Sequence, residues 1–142
     1  MPGNDLQPVM LSVPLARRLR DSGLQWTAAP GDRFAIPDRG FEDRTFLVSD
    51  MVIEVRNVLG GRELAFNGTV EWALDAILER EVVWVPSESQ LRELIGGDFV
   101  ACYRDDDETY AVVARLGGIP RTFSAATAPD AYGSALLAIL TS

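Results

Sequence analysis

Short runs of β-branched and aromatic residues, separated by Gly, Pro, Asn and Asp, dominate the pattern of the chain. Such runs predict strands bounded by turns. They cover residues 34–36, 45–48, 52–55, 63–66, 82–85, 99–103 and 109–116, with a short further strand at 121–124. The charged segment Arg104–Glu108 is predicted to be the tip of an antiparallel hairpin between two of these strands.

Helices are predicted where a capping signal precedes an apolar face. The first begins at Ser12 and ends at Gly23, the second runs from Val70 to about Arg80, the third follows Ser87–Gln90, and the last runs from Ala131 to Leu140. Thr69 is the expected cap of the second helix. Ser87–Gln90 and Thr127–Asp130 both match the pattern of a capping box, in which two side chains satisfy each other's backbone N–H groups.

The order of these elements indicates the fold class. Strands that follow one another in hairpins favour an antiparallel sheet over a doubly wound parallel one. The sequence therefore predicts an α+β fold with a mainly antiparallel sheet of five to seven short strands and about four short helices. Residues 1–10 are expected to be a flexible leader, and residues 11–142 a single α+β domain.

Charge narrows the classes of partner. The chain of 142 residues has 21 Asp and Glu against 13 basic residues, all of them Arg, for a net charge of −8. Such a surface repels nucleic acid and anionic membranes, and it attracts a basic protein or a cationic ligand. No signal-peptide pattern begins the sequence, and no apolar run approaches the roughly 20 residues of a membrane span. The expected location is the cytoplasm.

Missing residue types exclude several kinds of catalysis. With no His and no Lys, the chain by itself cannot form a Ser–His–Asp triad, a His-bound zinc site or a phosphate-binding lysine loop. The single cysteine, Cys102, lies in an apolar run and is expected to be a buried packing residue. No cofactor, metal site or catalytic residue is therefore assigned.

The strongest candidate for a ligand site is the segment Phe66–Leu74. A strand that ends in Asn-Gly-Thr before a helix exposes backbone N–H groups that can bind a polar ligand. The residues proposed to bind are Asn67, Thr69, Glu71, Trp72 and Asp50. The alternative is a structural turn in which Thr69 only caps the helix and Trp72 only packs.

Other clusters have structural explanations beside functional ones. Asp32, Asp50 and Glu54 could form an acid/base pair, or their carboxylates could accept hydrogen bonds from turn amides. The acidic tip Asp105–Glu108 could bind a hard cation or simply keep a sheet edge solvated.

Two further patterns concern aromatic and apolar surfaces. Trp26, Trp72 and Trp84 could share a pocket for a cation, or they could belong to the core. The last helix is apolar on nearly all sides, which predicts either a homodimer seam or a helix buried within the chain.

Five stretches of the sequence together resemble a family of short, uncharacterised actinobacterial proteins. They are Gly31–Phe34, Val48–Met51, Phe66–Asp75, Val83–Leu94 and Asp130–Tyr132. The resemblance extends from about residue 15 to the end. Some members of that family carry an automatic pilus-assembly label, which would imply a MinD-like ATPase. The chain has no Gly-x-x-x-x-Gly-Lys-Ser/Thr loop, so neither ATPase activity nor any functional residue carries over.

These observations favour a small acidic cytoplasmic module that binds rather than catalyses and that self-associates, most simply as a homodimer. Its partner is expected to be a protein with a basic surface or a small polar ligand, as for an immunity or antitoxin protein. The alternative is a carboxylate-based hydrolase, with or without a metal, that has a pocket at Asn67–Trp72 and uses some of the acids Asp32, Asp50, Glu54 and Glu71.

Overall fold

The computed structural model describes residues 9–37, 41–48, 54–58, 61–65, 76–78, 82–105 and 108–142. The chain divides into two compact units. Unit 1 comprises Met1–Leu24 and Pro86–Ser142, and unit 2 comprises Gln25–Val85. The single domain expected from the sequence stays a prediction.

Unit 1 contains three α-helices and a three-stranded antiparallel sheet. Its elements are α1 (Val13–Asp21), α2 (Glu88–Ile95), a short 3-10 helix (Gly96–Asp98), β7 (Phe99–Arg104), β8 (Tyr110–Leu116), β9 (Ile119–Ala125) and α3 (Ala128–Thr141). The sheet has the order β7-β8-β9. Helix α3 contacts β8, β9, α1 and α2, and is therefore the centre of the unit.

The hairpin between β8 and β9 follows directly from two glycines. Gly117 and Gly118 have φ values of 57° and 83°, the combination required by a two-residue type I′ turn. The turn places Leu116 opposite Ile119 and sets the register of all later pairs up to Tyr110 opposite Ala125. This register is regular over the full length of β9.

Helix α2 begins with the capping box that its sequence predicts. The Gln90 N–H donates to Ser87 Oγ at 3.2 Å, and the Ser87 N–H donates to Gln90 Oε1 at 2.9 Å. Both bonds satisfy N–H groups that have no partner inside the helix. The start of α2 is thus fixed by its own residues.

Helix α3 begins differently from the prediction. The Asp130 N–H donates to Thr127 Oγ1 at 3.3 Å, so Thr127 is the cap. The Asp130 carboxylate does not complete a capping box, because its Oδ1 accepts from the N–H of Ser12 at 2.8 Å. Ser12 is the N-cap of α1, as predicted, but its side chain makes no capping hydrogen bond. One carboxylate therefore joins the N-terminus of α1 to that of α3.

A glycine lets α1 and α3 approach closely. A Cβ atom on Gly133 would lie 2.6 Å from Leu11 Cδ1 and 2.9 Å from Leu15 Cδ2. Along α3, Ala131, Tyr132, Ala135 and Leu136 are buried, and only Thr141 is exposed. The apolar surface of this helix is thus covered mainly within the chain. This agrees with the second of the two alternatives, a helix buried within the chain.

Unit 2 contains two three-stranded antiparallel sheets. Strands β1 (Arg33–Ile36), β2 (Phe41–Leu47) and β6 (Val83–Val85) form one in the order β2-β1-β6. Strands β3 (Glu54–Val58), β4 (Gly61–Ala65) and β5 (Ala76–Leu78) form the other, in chain order. Strand β1 is central in its sheet, and Phe34, Ala35 and Ile36 are fully buried.

The α+β class and the antiparallel pairing are confirmed, whereas the counts differ. The described residues form nine strands, not five to seven, and three α-helices, not four. The second predicted helix, Val70 to about Arg80, is wrong at Ala76–Leu78, which pair with Glu63–Ala65 of β4. The rest of that prediction lies outside the described residues. In the part of the chain that is described, no helix is long and apolar enough to cross a membrane.

Candidate functional site

Unit 1 contains an open groove of about 440 Å³. We call it the unit 1 groove, and it is lined by Val9, Glu88, Cys102, Tyr103, Arg104, Tyr110, Ala126, Thr127, Ala128 and Pro129. Its volume lies within the range of roughly 300–1,000 Å³ that is typical of ligand sites. Mostly apolar and aromatic side chains with a few polar groups form its walls, which is the usual composition of such sites.

Four elements position these residues. The first turn of α2 contributes Glu88, and the first turn of α3 follows directly from Thr127. The last residues of β7 and the first residue of β8 lie opposite each other in the hairpin, with Arg104 paired to Tyr110. The groove thus forms where two helix N-termini meet the charged end of the sheet.

Cys102 and Tyr132 form a polar contact beside this groove. Burial, together with a side-chain hydrogen bond with Cys102, raises the pKa of Tyr132 to about 12. Cys102 itself is half-buried and free, so it is less buried than its apolar run predicted.

Tyr132 belongs to a stack of three side chains that ends at Arg92 of α2. The Arg92 guanidinium carbon lies 4.4 Å from the centre of the Phe99 ring. The Phe99 and Tyr132 rings are nearly parallel, 17° apart, with centroids separated by 5.8 Å. Cation–π and stacked-ring contacts of this kind fix side chains in one orientation. Tyr132 is therefore packed against the Phe99 ring inside unit 1.

An acidic side chain lies beside the arginine that lines the groove. Arg104 lies 3.6 Å from Glu108 in an exposed ion pair, which contributes little to stability. The hairpin segment that follows Arg104 reads Asp105-Asp-Asp-Glu108, and Glu88 lines the groove on the other side. A ligand with a cationic group would therefore meet the more favourable potential.

Unit 2 contains an aromatic cluster organised by one buried carboxylate. Asp32, only 6% exposed, accepts on Oδ2 from Trp26 Nε1–H at 2.9 Å and from the Ala29 N–H at 3.1 Å. Trp26 stacks on Trp84 with centroids 6.4 Å apart and an interplanar angle of 10°. The Trp84 Nε1 is buried without a hydrogen-bond partner. Trp26 and Trp84 thus share one cluster, while Trp72 lies outside the described residues.

The sequence-predicted ligand site cannot be compared with the structure. Asn67, Thr69, Glu71, Trp72 and Asp50 all lie outside the described residues. Of the acids suggested for a catalytic pair, Asp32 accepts from a turn amide and an indole, and therefore has a structural role. Glu54 begins β3, opposite Ala65 of β4.

Metal ligation has no support in the described part of the chain. No group of three or more Cys, Asp or Glu side chains there has the spacing needed to hold an ion. Asp105 and Glu108 instead close the hairpin, since the Glu108 N–H donates to the Asp105 carbonyl at 3.1 Å.

The unit 1 groove was not anticipated from the sequence. Its lining residues come from five places between Val9 and Pro129, and only the fold brings them together. Two signals were present: tyrosines on either side of the hairpin tip, and a cysteine near them. Both are equally typical of a packed strand pair, so neither predicts a groove.

No protein-family model, curated protein or solved structure matches the chain. The resemblance to the actinobacterial family stays a prediction.

Proposed function

We propose that the chain is a small acidic cytoplasmic binding module, and that the unit 1 groove receives a cationic segment of a protein partner. The observation that carries this proposal is the open groove of about 440 Å³. Its walls offer apolar and tyrosine side chains to an incoming chain, and Glu88 offers a carboxylate. Binding here needs neither a cofactor nor a catalytic group.

Charge supports the choice of a cationic partner. The chain has a net charge of −8, which accelerates encounters with a basic protein. Tyr103, 48% exposed, can accept an Arg or Lys side chain over its ring face. An immunity or antitoxin protein that neutralises a basic protein is one biological form of this activity.

Self-association belongs to the same proposal. Two copies of a binding module present two grooves, which raises the apparent affinity for a partner with repeated cationic segments. Because α3 is covered largely by its own chain, the association surface is expected elsewhere in the molecule.

Peptide binding tests the groove directly. A labelled peptide of alternating arginine and leucine is titrated with the protein, and fluorescence anisotropy is measured at low salt. Glu88→Gln is expected to raise the dissociation constant about fivefold, since one favourable charge pair contributes about 1 kcal/mol. Glu93→Gln, on the exposed side of the same helix, is the matched control and is expected to leave it unchanged.

A second peptide, in which glutamate replaces arginine, is expected not to bind. Equal weakening by both substitutions would indicate a general effect of net charge. Binding of the two peptides with the same affinity would contradict the proposal.

A further inference from the structure

Strand β9 forms an edge of the unit 1 sheet. Its only strand neighbour among the described residues is β8. Ile119, Pro120, Arg121, Thr122 and Ser124 are exposed, and the exposed fraction of Ile119 reaches 59%. A strand in this position presents a row of backbone donors and acceptors to any strand that can align with it.

The hairpin geometry specifies which backbone groups point outward. The two-residue turn makes Leu116 and Ile119 a hydrogen-bonded pair, and such pairs alternate with non-hydrogen-bonded ones along an antiparallel ladder. Val113 and Thr122 are therefore a non-hydrogen-bonded pair. The pairs that contain Pro120 and Ser124, two residues further along in each direction, are also non-hydrogen-bonded. The backbone groups of Pro120, Thr122 and Ser124 consequently face away from β8.

Pro120 fits this assignment, because a proline has no N–H and is tolerated in a strand only where none is needed. It also limits how a further strand can pair. Thr122 and Ser124 supply the outward N–H groups, and all three residues supply outward carbonyls. The edge therefore lacks an outward backbone donor at Pro120, whereas Thr122 and Ser124 offer both a donor and an acceptor.

We infer that β9 pairs antiparallel with β9 of a second copy, about a two-fold axis at Thr122, and joins the two sheets into one of six strands. The inference rests on the proposed self-association and names its surface. In this register the Thr122 N–H groups donate to the Thr122 carbonyls of the opposite copy. Each Ser124 N–H donates to the carbonyl of the opposite Pro120, whereas the Ser124 carbonyl, which faces a residue without an N–H, is left to bond water.

Other registers use the strand less well. An axis at Pro120 places two prolines opposite each other, and the bonds between them are lost. An axis at Ser124 extends beyond Ala125, where β9 ends. Only the Thr122-centred register keeps the three outward residues of both copies paired within the strand.

Charge explains why a second copy can approach here. Two chains of charge −8 repel each other, yet β7, β8 and β9 contain no Asp or Glu, and their only charged residues are arginines. The same register places Arg121 beside Phe123 of the second copy, which suits a cation–π contact. The other edge, β7, has an irregular register between Phe99 and Ala101 and leads into the acidic tip, and both features disfavour pairing.

Cysteine cross-linking tests the register without disturbing the strand. In a Cys102→Ser background, Thr122→Cys places two thiols on residues that are directly opposite, about 5.5 Å apart at Cα. Mild oxidation is expected to give a disulfide-linked dimer. Ser124→Cys is the matched control, since its two copies lie about 14 Å apart along the strands. A dimer formed equally well by both cysteines, or by neither, would overturn the inference.

Sedimentation equilibrium separates this inference from the proposed self-association. Thr122→Pro removes an outward N–H from each copy and is expected to raise the dimer dissociation constant at least about tenfold, whereas Thr122→Val keeps both N–H groups and leaves it unchanged. A wild-type protein that stays monomeric would overturn self-association itself. A dimer that persists in Thr122→Pro, with an unchanged circular dichroism spectrum, would leave self-association intact and place its surface elsewhere.

Discussion

Two carboxylates among the described residues accept hydrogen bonds from backbone and indole N–H groups. Asp32 accepts from Trp26 and from Ala29 in unit 2, and Asp130 accepts from Ser12 in unit 1. Charge on a residue therefore does not identify a catalytic role here. The sequence offered both explanations for Asp32, and its burial with turn partners supports the structural one.

Replacing Asp32 by alanine tests this role. The change leaves the Trp26 and Ala29 N–H groups without their acceptor, and the free energy of unfolding is expected to fall by about 1–3 kcal/mol. Urea unfolding followed by tryptophan fluorescence measures the loss. Asp32→Asn keeps one oxygen acceptor and should lose less. Thr27→Ala, an exposed change in the same loop, should stay within about 0.5 kcal/mol of wild type.

Tyr132 predicts a specific pH dependence. Because its pKa is raised from 10.0 to about 12, the folded protein holds this proton more tightly than the unfolded chain. The resulting stabilisation, roughly 2–3 kcal/mol, is fully present below pH 10 and is lost as the pH rises towards 12. Tyrosinate absorbance of wild type minus that of Tyr132→Phe should titrate near pH 12. A midpoint near the ordinary value of 10 would show a solvated hydroxyl instead.

At the scale of elements, helix starts depend on very few atoms. Ser87→Ala removes one half of the capping box of α2 and is expected to lower the free energy of unfolding by about 1 kcal/mol. Ser89→Ala makes the same chemical change two residues later, at an exposed position inside the helix, and should be neutral or slightly stabilising. Chemical denaturation of both variants provides the comparison. Equal losses would mean that the box contributes nothing beyond helix propensity.

The same contrast explains which elements could be predicted from the sequence. The capping box at Ser87 acts over a few residues, so its local pattern was sufficient. The helix expected up to about Arg80 fails at Ala76–Leu78 because these residues pair with β4, and a non-local partner overrides local propensity. The Asp130 bond to Ser12 spans 118 positions, and the unit 1 groove likewise depends on distant residues, so neither has a local signature.

At the scale of the whole molecule, charge is distributed unevenly. The net charge of −8 coexists with a sheet in unit 1 whose only charged residues are arginines. The acidic charge attracts the proposed groove ligand, whereas it repels the proposed second copy. The two kinds of binding should therefore respond differently to salt.

Added salt is expected to weaken binding of the arginine–leucine peptide and to strengthen dimerisation, because the same screening removes an attraction in one case and a repulsion in the other. Anisotropy and sedimentation at low and moderate sodium chloride measure the two constants on the same preparation. A dimer that dissociates as salt increases would contradict the assignment of an acid-free contact.

The division into two units also separates the aromatic chromophores. All three tryptophans, Trp26, Trp72 and Trp84, belong to Gln25–Val85, and all three tyrosines, Tyr103, Tyr110 and Tyr132, belong to unit 1. The nearly parallel indoles of Trp26 and Trp84 should couple electronically and give a paired band in circular dichroism. Tryptophan signals therefore report on unit 2, and tyrosine signals report on unit 1. A single cooperative domain requires the indole and phenol signals to change at one denaturant concentration, and two separate midpoints would identify two independently folding halves.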